Sequence, residues 1–167
     1  AAKLICSPAL RDAAENIAIW NALEAKQVQS IGSDHCSFRL HSQKEMGLED
    51  FRKVPGGLPG IELRYPLMYG YGVQKGYISV QEWVNICSTQ PAKIFGLYPR
   101  KGSLAVGSDA DIVLFDAQKK LKIALDNLHE NVDYSPYEGL PISGYPVMTI
   151  LKGKPFIKDG KFIPQER

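Results

Sequence analysis

Histidine and cysteine are scarce in this chain, and their spacing is unhelpful to a metal. There are three histidines, His35, His41 and His129, in 167 residues. None stands in an H-x-H or H-E-x-x-H arrangement, so no complete zinc site can be written from the chain. The three cysteines (Cys6, Cys36, Cys87) are far apart and odd in number, with no C-x-x-C. That argues against a disulfide scaffold and for a reducing, cytoplasmic compartment. No apolar run approaches the roughly 18 residues of a membrane span. No charged n-region leads into an apolar h-region. Basic residues do not cluster with aromatics and the formal net charge is only +2, so nucleic-acid binding has no support. The chain opens at Ala1-Ala2-Lys3 without Met, as a fragment or a processed product would.

What is present is the composition of an ordinary globular protein, 44% hydrophobic and 23% charged, able to bury a real core. Lys3-Leu4-Ile5-Cys6 reads as a short buried strand stopped by Ser7-Pro8. Asp12 with Glu15 resembles a capping box, and Ile17, Trp20 and Leu23 follow at helical spacing. Val28-Gln29-Ser30-Ile31 reads as a second strand ending just before Asp34. Strand, helix and strand make a βαβ unit with a parallel sheet. Ligands bind beyond the carboxyl ends of such strands, where Ser7 and Asp34 both fall.

From Ser37 to Gly60 the pattern is mostly loop, and Val54-Pro55-Gly56-Gly57-Leu58-Pro59-Gly60 packs two prolines and three glycines into seven residues. Such backbone either approaches a ligand closely or makes surface turns. Residues 61–73 read as a helix in which Pro66 allows a break or a late start, with Tyr65, Met68 and Tyr69 inward. Ser79 with Glu82 forms a capping box before Val80, Trp83, Val84 and Cys87 at i, i+3, i+4 and i+7. Pro91 to Phe95 reads as a short helix ended by Gly96. Beyond a soft boundary at 97–102, glycines punctuate short strands at 111–115 and 147–151. A hairpin at 154–163 turns about Asp159-Gly160.

Two readings are open for Asp34. One is an Asx-type turn or helix cap. The other is a carboxylate that binds a divalent metal and takes a proton from water. His35, adjacent on extended backbone, points the opposite way and fits a packing or orienting role better than shared ligation. Nothing identifies a base beside Cys36. His41 and His129 read as surface residues.

Several motifs in order carry a resemblance. Ser7-Pro8-Ala9-Leu10-Arg11, Gly32-Ser33-Asp34-His35-Cys36, Gln43-Lys44 and Val54-Pro55-Gly56-Gly57 resemble the dihydropyrimidinase/D-hydantoinase family of cyclic amidohydrolases. So do residues 88–102, 106–111 and 131–139. The fold this implies is α/β: the last strands and helices of a metal-dependent (β/α)₈ TIM barrel over 1–98, then part of a β-sandwich over 99–167. The implied activity is hydrolysis of the ring amide or imide of 5,6-dihydropyrimidines or hydantoins. It would use two divalent metal ions, zinc in most of the family, bridged by a carboxylated lysine and a hydroxide.

On that resemblance Asp34 is a metal ligand and the proton shuttle, while Ser7 and Gly56 hold the ring. The family has asparagine where Gly56 stands and contacts substrate through its backbone, so a more mobile loop and an altered substrate preference are expected. The family's H-x-H, bridging lysine and two further histidines belong upstream, so these 167 residues are expected to be inactive alone. The resemblance also implies a homotetramer, with Tyr134 and Tyr137 serving either subunit contacts or internal packing. A non-catalytic relative of the collapsin response mediator kind is the alternative.

Overall fold

The computed structural model describes residues 2–165, so Ala1, Glu166 and Arg167 of the two expected domains lie outside it. Helices occupy the first part of the chain and strands the last. Helix α1 spans Ala13–Glu24, α2 Arg64–Met68, α3 Val80–Val84 and α4 Gln90–Ile94. The strands are β1 Ile112–Lys122, β2 Pro141–Leu151, β3 Lys154–Lys158 and β4 Lys161–Phe162. They form one sheet in the order β1-β2-β3-β4, with β2/β3 and β3/β4 antiparallel.

Local chemistry sets the element ends where the sequence indicates. Asp12 Oδ1 accepts the N–H groups of Ala14 and Glu15 at 3.0 and 3.1 Å, capping α1. Ser79 Oγ accepts the N–H of Glu82 at 3.0 Å, capping α3. Around Pro66 the helix starts late, at Arg64, while the segment around Pro91 is longer than the motif suggests. α2 runs on as a π-helical turn at Tyr69–Val73, and a second such turn at Asn85–Thr89 joins α3 to α4. Pro91 therefore sits in the first turn of α4 within one continuous helical run. Asp159 (φ 49°) and Gly160 (φ 73°) make the two left-handed positions of a type I′ hairpin between β3 and β4. Lys152 (φ 49°) and Gly153 (φ 79°) do the same between β2 and β3, a hairpin the glycine alone had not revealed.

Two expected strands are absent. Lys3–Cys6 lies in a short 3-10 turn (Ala2–Leu4) and extended coil, and 28–31 is coil. A strand exists only where a neighbour takes up its backbone groups. Here Ile31 N–H reaches Ile86 O, in a helical turn, at 3.4 Å, and Ile5 O accepts from Gly57 N–H and a lysine side chain. The βαβ unit thus keeps its helix and lacks its parallel pairing; among the described residues the parallel pairing reduces to one isolated bridge, His35 to Leu58.

The chain divides into two compact units. One comprises residues 2–20, 32–64 and 121–141, with Leu63, Ile123, Tyr134 and Lys44 buried at its centre. The other comprises 21–31, 65–120 and 142–165. Its core is an edge-to-face aromatic cluster: Trp83 lies 5.4 Å from Tyr65, 5.2 Å from Tyr69 and 4.9 Å from Phe115 between ring centroids. Ile86 and Cys87 are buried in this unit too, whereas Val80 and Val84 are exposed, so the buried stripe is 83, 86 and 87. Cys87 is a core residue, as its position on the helix implies. Lys101 pairs with both Asp109 and Asp111, and the three brace the approach to β1. No helix of the described residues is long and apolar enough to cross a membrane.

Candidate active-site segment

Asp34 occupies a left-handed backbone position, φ 47°, that aspartate tolerates better than most residues. Its side chain is exposed, and among the described residues its carboxylate takes part in no hydrogen bond or ion pair. The local turn is closed instead by Ser33, whose Oγ accepts the N–H of His35 at 3.3 Å. The Asx-turn role open to Asp34 therefore falls to its neighbour. What is left at Asp34 is a solvent-facing oxygen donor with no structural employment.

The residues beside Asp34 bind the glycine-rich loop. Cys36 N–H donates to Leu58 O at 2.9 Å. His35 Nδ1 accepts from Gly60 N–H at 3.1 Å and from Ile61 N–H at 3.3 Å, so the proton of the neutral ring sits on Nε2. A Cβ on Gly57 would come within 2.5 Å of Cys36 Cβ, closer than any real contact allows. Only glycine lets that backbone lie against Cys36. The packing role read for His35 is what the structure contains.

Ser7 and Gly56 meet from the other side. An ideal Cβ on Gly56 would stand 3.7 Å from Ser7 N and 3.9 Å from Ser7 Cβ, so the two backbones lie in ordinary contact with both residues exposed. Gly57 N–H donates to Ile5 O at 3.1 Å. Lys44 Nζ donates to Ile5 O at 2.8 Å and to Pro55 O at 3.1 Å from a fully buried position. Burial lowers the Lys44 ammonium from the usual lysine range, with the Cys6 and Cys36 thiols opposing that fall.

A further layer comes from residues 129–137. Glu130 Oε1 accepts the N–H of Glu62 at 3.0 Å and lies 3.9 Å from His35 Nδ1, while its Oε2 is buried with no partner among the described residues. Asp133 accepts the N–H groups of Leu40 and His41 at 2.7 and 2.9 Å. Burial works against its charge, yet these backbone bonds outweigh it and hold the carboxyl below the usual carboxylate range. Tyr134 is buried, its hydroxyl unpartnered among the described residues, and burial aided by the Asp133 charge pushes its phenol up to about 12. Of the two roles open to Tyr134, internal packing is the one seen. His41 and His129 are exposed and pair with Glu45 and Glu62, each at 2.8 Å.

Ser7, Gly56 and the backbone next to Asp34 are thus stitched into one segment. Lys44 and Glu130 support it, and sequence reasoning missed both as participants. Their signal was faint: a lysine or glutamate in a polar stretch reads as surface unless a contact shows otherwise. No group of three or more His, Cys, Asp or Glu side chains that could hold a metal exists among the described residues. Among the described residues one carboxylate can contribute to a metal site, without a surrounding group of ligands.

Residues 3–156 match the family model described as the amidohydrolase family. The chain belongs to the amidohydrolase family. It is 44% identical over 162 residues to the D-hydantoinase of Geobacillus stearothermophilus, an alignment covering 97% of this chain and 34% of that protein. The D-phenylhydantoinase of Escherichia coli O1:K1 is 39% identical over 160 residues, 96% of this chain and 35% of its own length. Among solved structures, the dihydropyrimidinase of Brevibacillus agri superposes with a TM-score of 0.95 at 43% identity, covering 97% of this chain and 35% of that one. This amidohydrolase chain therefore spans about a third of the length of the curated relatives it matches.

Proposed function

We propose that this amidohydrolase chain is the C-terminal portion of a cyclic amidohydrolase that opens the ring amide or imide of 5,6-dihydropyrimidines or hydantoins. The observation that carries the reading is Asp34: an exposed carboxylate without a structural partner among the described residues, two residues before Cys36, against which the loop of Gly56 and Gly57 packs. The relatives named D-hydantoinase and dihydropyrimidinase support the substrate class.

In this reading Asp34 would ligate one of two divalent metals, zinc in most of the family, whose remaining ligands and carboxylated lysine would come from outside these residues. Such a pair, when bound, supplies an activated water and polarises the ring carbonyl. Asp34 takes the proton of the attacking water and gives it to the departing ring nitrogen. Ser7 and the Gly56 backbone hold the cyclic amide in place. Both are exposed, so a flat ring can reach them without displacing core side chains.

We further assign residues 1–98 to the barrel and 99–167 to the sandwich. Among the described residues the four strands lie beyond residue 111 and every α-helix ends before 95, which supports that division by element type, while the two compact units each draw residues from both sides of it. A cytoplasmic homotetramer completes the proposal. The test is Asp34→Asn in the full-length protein: ring hydrolysis falls by about a thousandfold or more while the fold persists. Substantial remaining turnover removes Asp34 from the mechanism.

A further inference from the structure

Lys44 is a fully buried cation without a carboxylate partner among the described residues. An ammonium in such a place is costly unless its donors are well used. Two of its three are spent on backbone oxygens, Ile5 O at 2.8 Å and Pro55 O at 3.1 Å. Each belongs to a segment the proposed function uses. Ile5 precedes Ser7 by two residues, and the Pro55 carbonyl shares its peptide plane with the N–H of Gly56.

That shared plane gives the contact a direction. The Pro55–Gly56 bond is trans, since the two cis bonds lie at Ser7-Pro8 and Tyr98-Pro99. In a trans peptide the C=O and N–H point opposite ways. With the Pro55 carbonyl turned inward to buried Lys44, the Gly56 N–H turns outward on an exposed residue. No group among the described residues accepts from that N–H. Ile5 O, held by the same ammonium, also accepts from Gly57 N–H at 3.1 Å, which fixes the other side of the glycine pair. Two consecutive glycines would otherwise leave this peptide free to rotate.

We infer that Lys44 is a positioning residue for the ring site: it aims the Gly56 N–H at a carbonyl oxygen of the bound cyclic amide and locks Ser7 in register with it. This rests on the proposed function, and it adds a residue that touches no substrate yet sets how tightly the ring is held. Loss of Lys44 should weaken binding of ground state and transition state alike, which appears in KM rather than kcat.

The experiment compares wild type, Lys44→Met and Lys44→Arg in the full-length protein, with dihydrouracil and hydantoin as substrates. Lys44→Met fills the slot without donors and should raise KM about tenfold or more, with kcat within about threefold. Lys44→Arg keeps charge and donors and should recover part of the loss. Amide exchange at Gly57, whose N–H is bonded to Ile5 O, should quicken in the Met variant and not elsewhere in the loop. A folded Lys44→Met with KM within about twofold of wild type, a fall confined to kcat, or unchanged exchange at Gly57 overturns the inference. Should the Met variant not fold, Lys44→Gln, retaining one donor, takes its place under the same criteria. A wild-type protein that hydrolyses neither ring overturns the proposed function instead, and the exchange comparison then decides the role of Lys44 by itself.

Discussion

His35 Nδ1 accepts the backbone N–H of Gly60 at 3.1 Å, and through that bond the segment carrying Asp34 holds the far end of the glycine loop. The ring also takes Ile61 N–H at 3.3 Å, so one side chain satisfies two donors that no secondary structure would serve. His35→Ala should leave both unpaired and cost about 1–3 kcal/mol of stability. Urea unfolding measures this, and amide exchange should quicken at Gly60 and Ile61. A loss below about 0.5 kcal/mol would mean that solvent replaces the histidine freely.

Asp34 allows chemistry and backbone geometry to be separated by the choice of substitution. Asparagine tolerates its φ of 47° about as well as aspartate does, while alanine there is strained by about 1–2 kcal/mol. Asp34→Asn should therefore unfold at the same urea concentration as wild type and lose hydrolysis in the full-length protein. Asp34→Ala should lose both activity and some stability. If Asp34→Asn destabilises the fold markedly, its carboxylate has a structural partner and the catalytic assignment weakens.

The ends of elements were legible because they depend on neighbours in sequence. Asp12 and Ser79 cap their helices through bonds spanning two or three residues, and Asp159-Gly160 turns a hairpin by its own backbone preference. The strands at 3–6 and 28–31 failed for the opposite reason. Their apolar runs are compatible with a sheet, but a sheet needs partners that local sequence cannot specify. Within the candidate site, motifs named Ser7, Asp34 and Gly56 as candidates, of which Ser7 and Gly56 lie in backbone contact. Lys44 and Glu130 were not, because their roles arise from carbonyls and amides tens of residues away, Ile5 for one and Glu62 for the other.

Tyr134 carries an unpartnered buried hydroxyl, so removing that hydroxyl should help the fold. Tyr134→Phe keeps the ring and should stabilise the protein by about 1 kcal/mol. The phenol is pushed up to about 12 in the fold, against about 10 in an unfolded chain. Between those values the unfolded chain releases a proton that the folded one keeps, so wild-type stability falls as pH rises above about 10. The Phe variant should show a shallower fall between pH 9.5 and 11.5 in urea titrations. An equal fall in both proteins would place the alkaline sensitivity in other groups, Tyr137 first among them, whose phenol burial also raises.

Gly56 and Gly57 are adjacent but should respond to substitution in opposite ways. A Cβ at Gly57 would lie 2.5 Å from Cys36 Cβ and 2.8 Å from Cys36 Sγ, so Gly57→Ala must push the loop off the Asp34–Cys36 segment. That should cost about 2 kcal/mol or more and disturb ring binding along with the fold. At Gly56 a Cβ meets only ordinary contacts of 3.7 Å and longer against Cys6 and Ser7. Gly56→Asn restores the residue that the dihydropyrimidinase pattern has there, so it should fold at least as well as wild type. It lowers the entropy of the unfolded loop, worth about 0.4–1 kcal/mol where the backbone angle suits the new residue. In the full-length protein it should also lower KM for dihydrouracil, because a stiffer peptide keeps the residue-56 N–H in place. Equal tolerance at both positions, read from urea midpoints, would show that the loop does not rest on Cys36 and that its glycines serve flexibility alone.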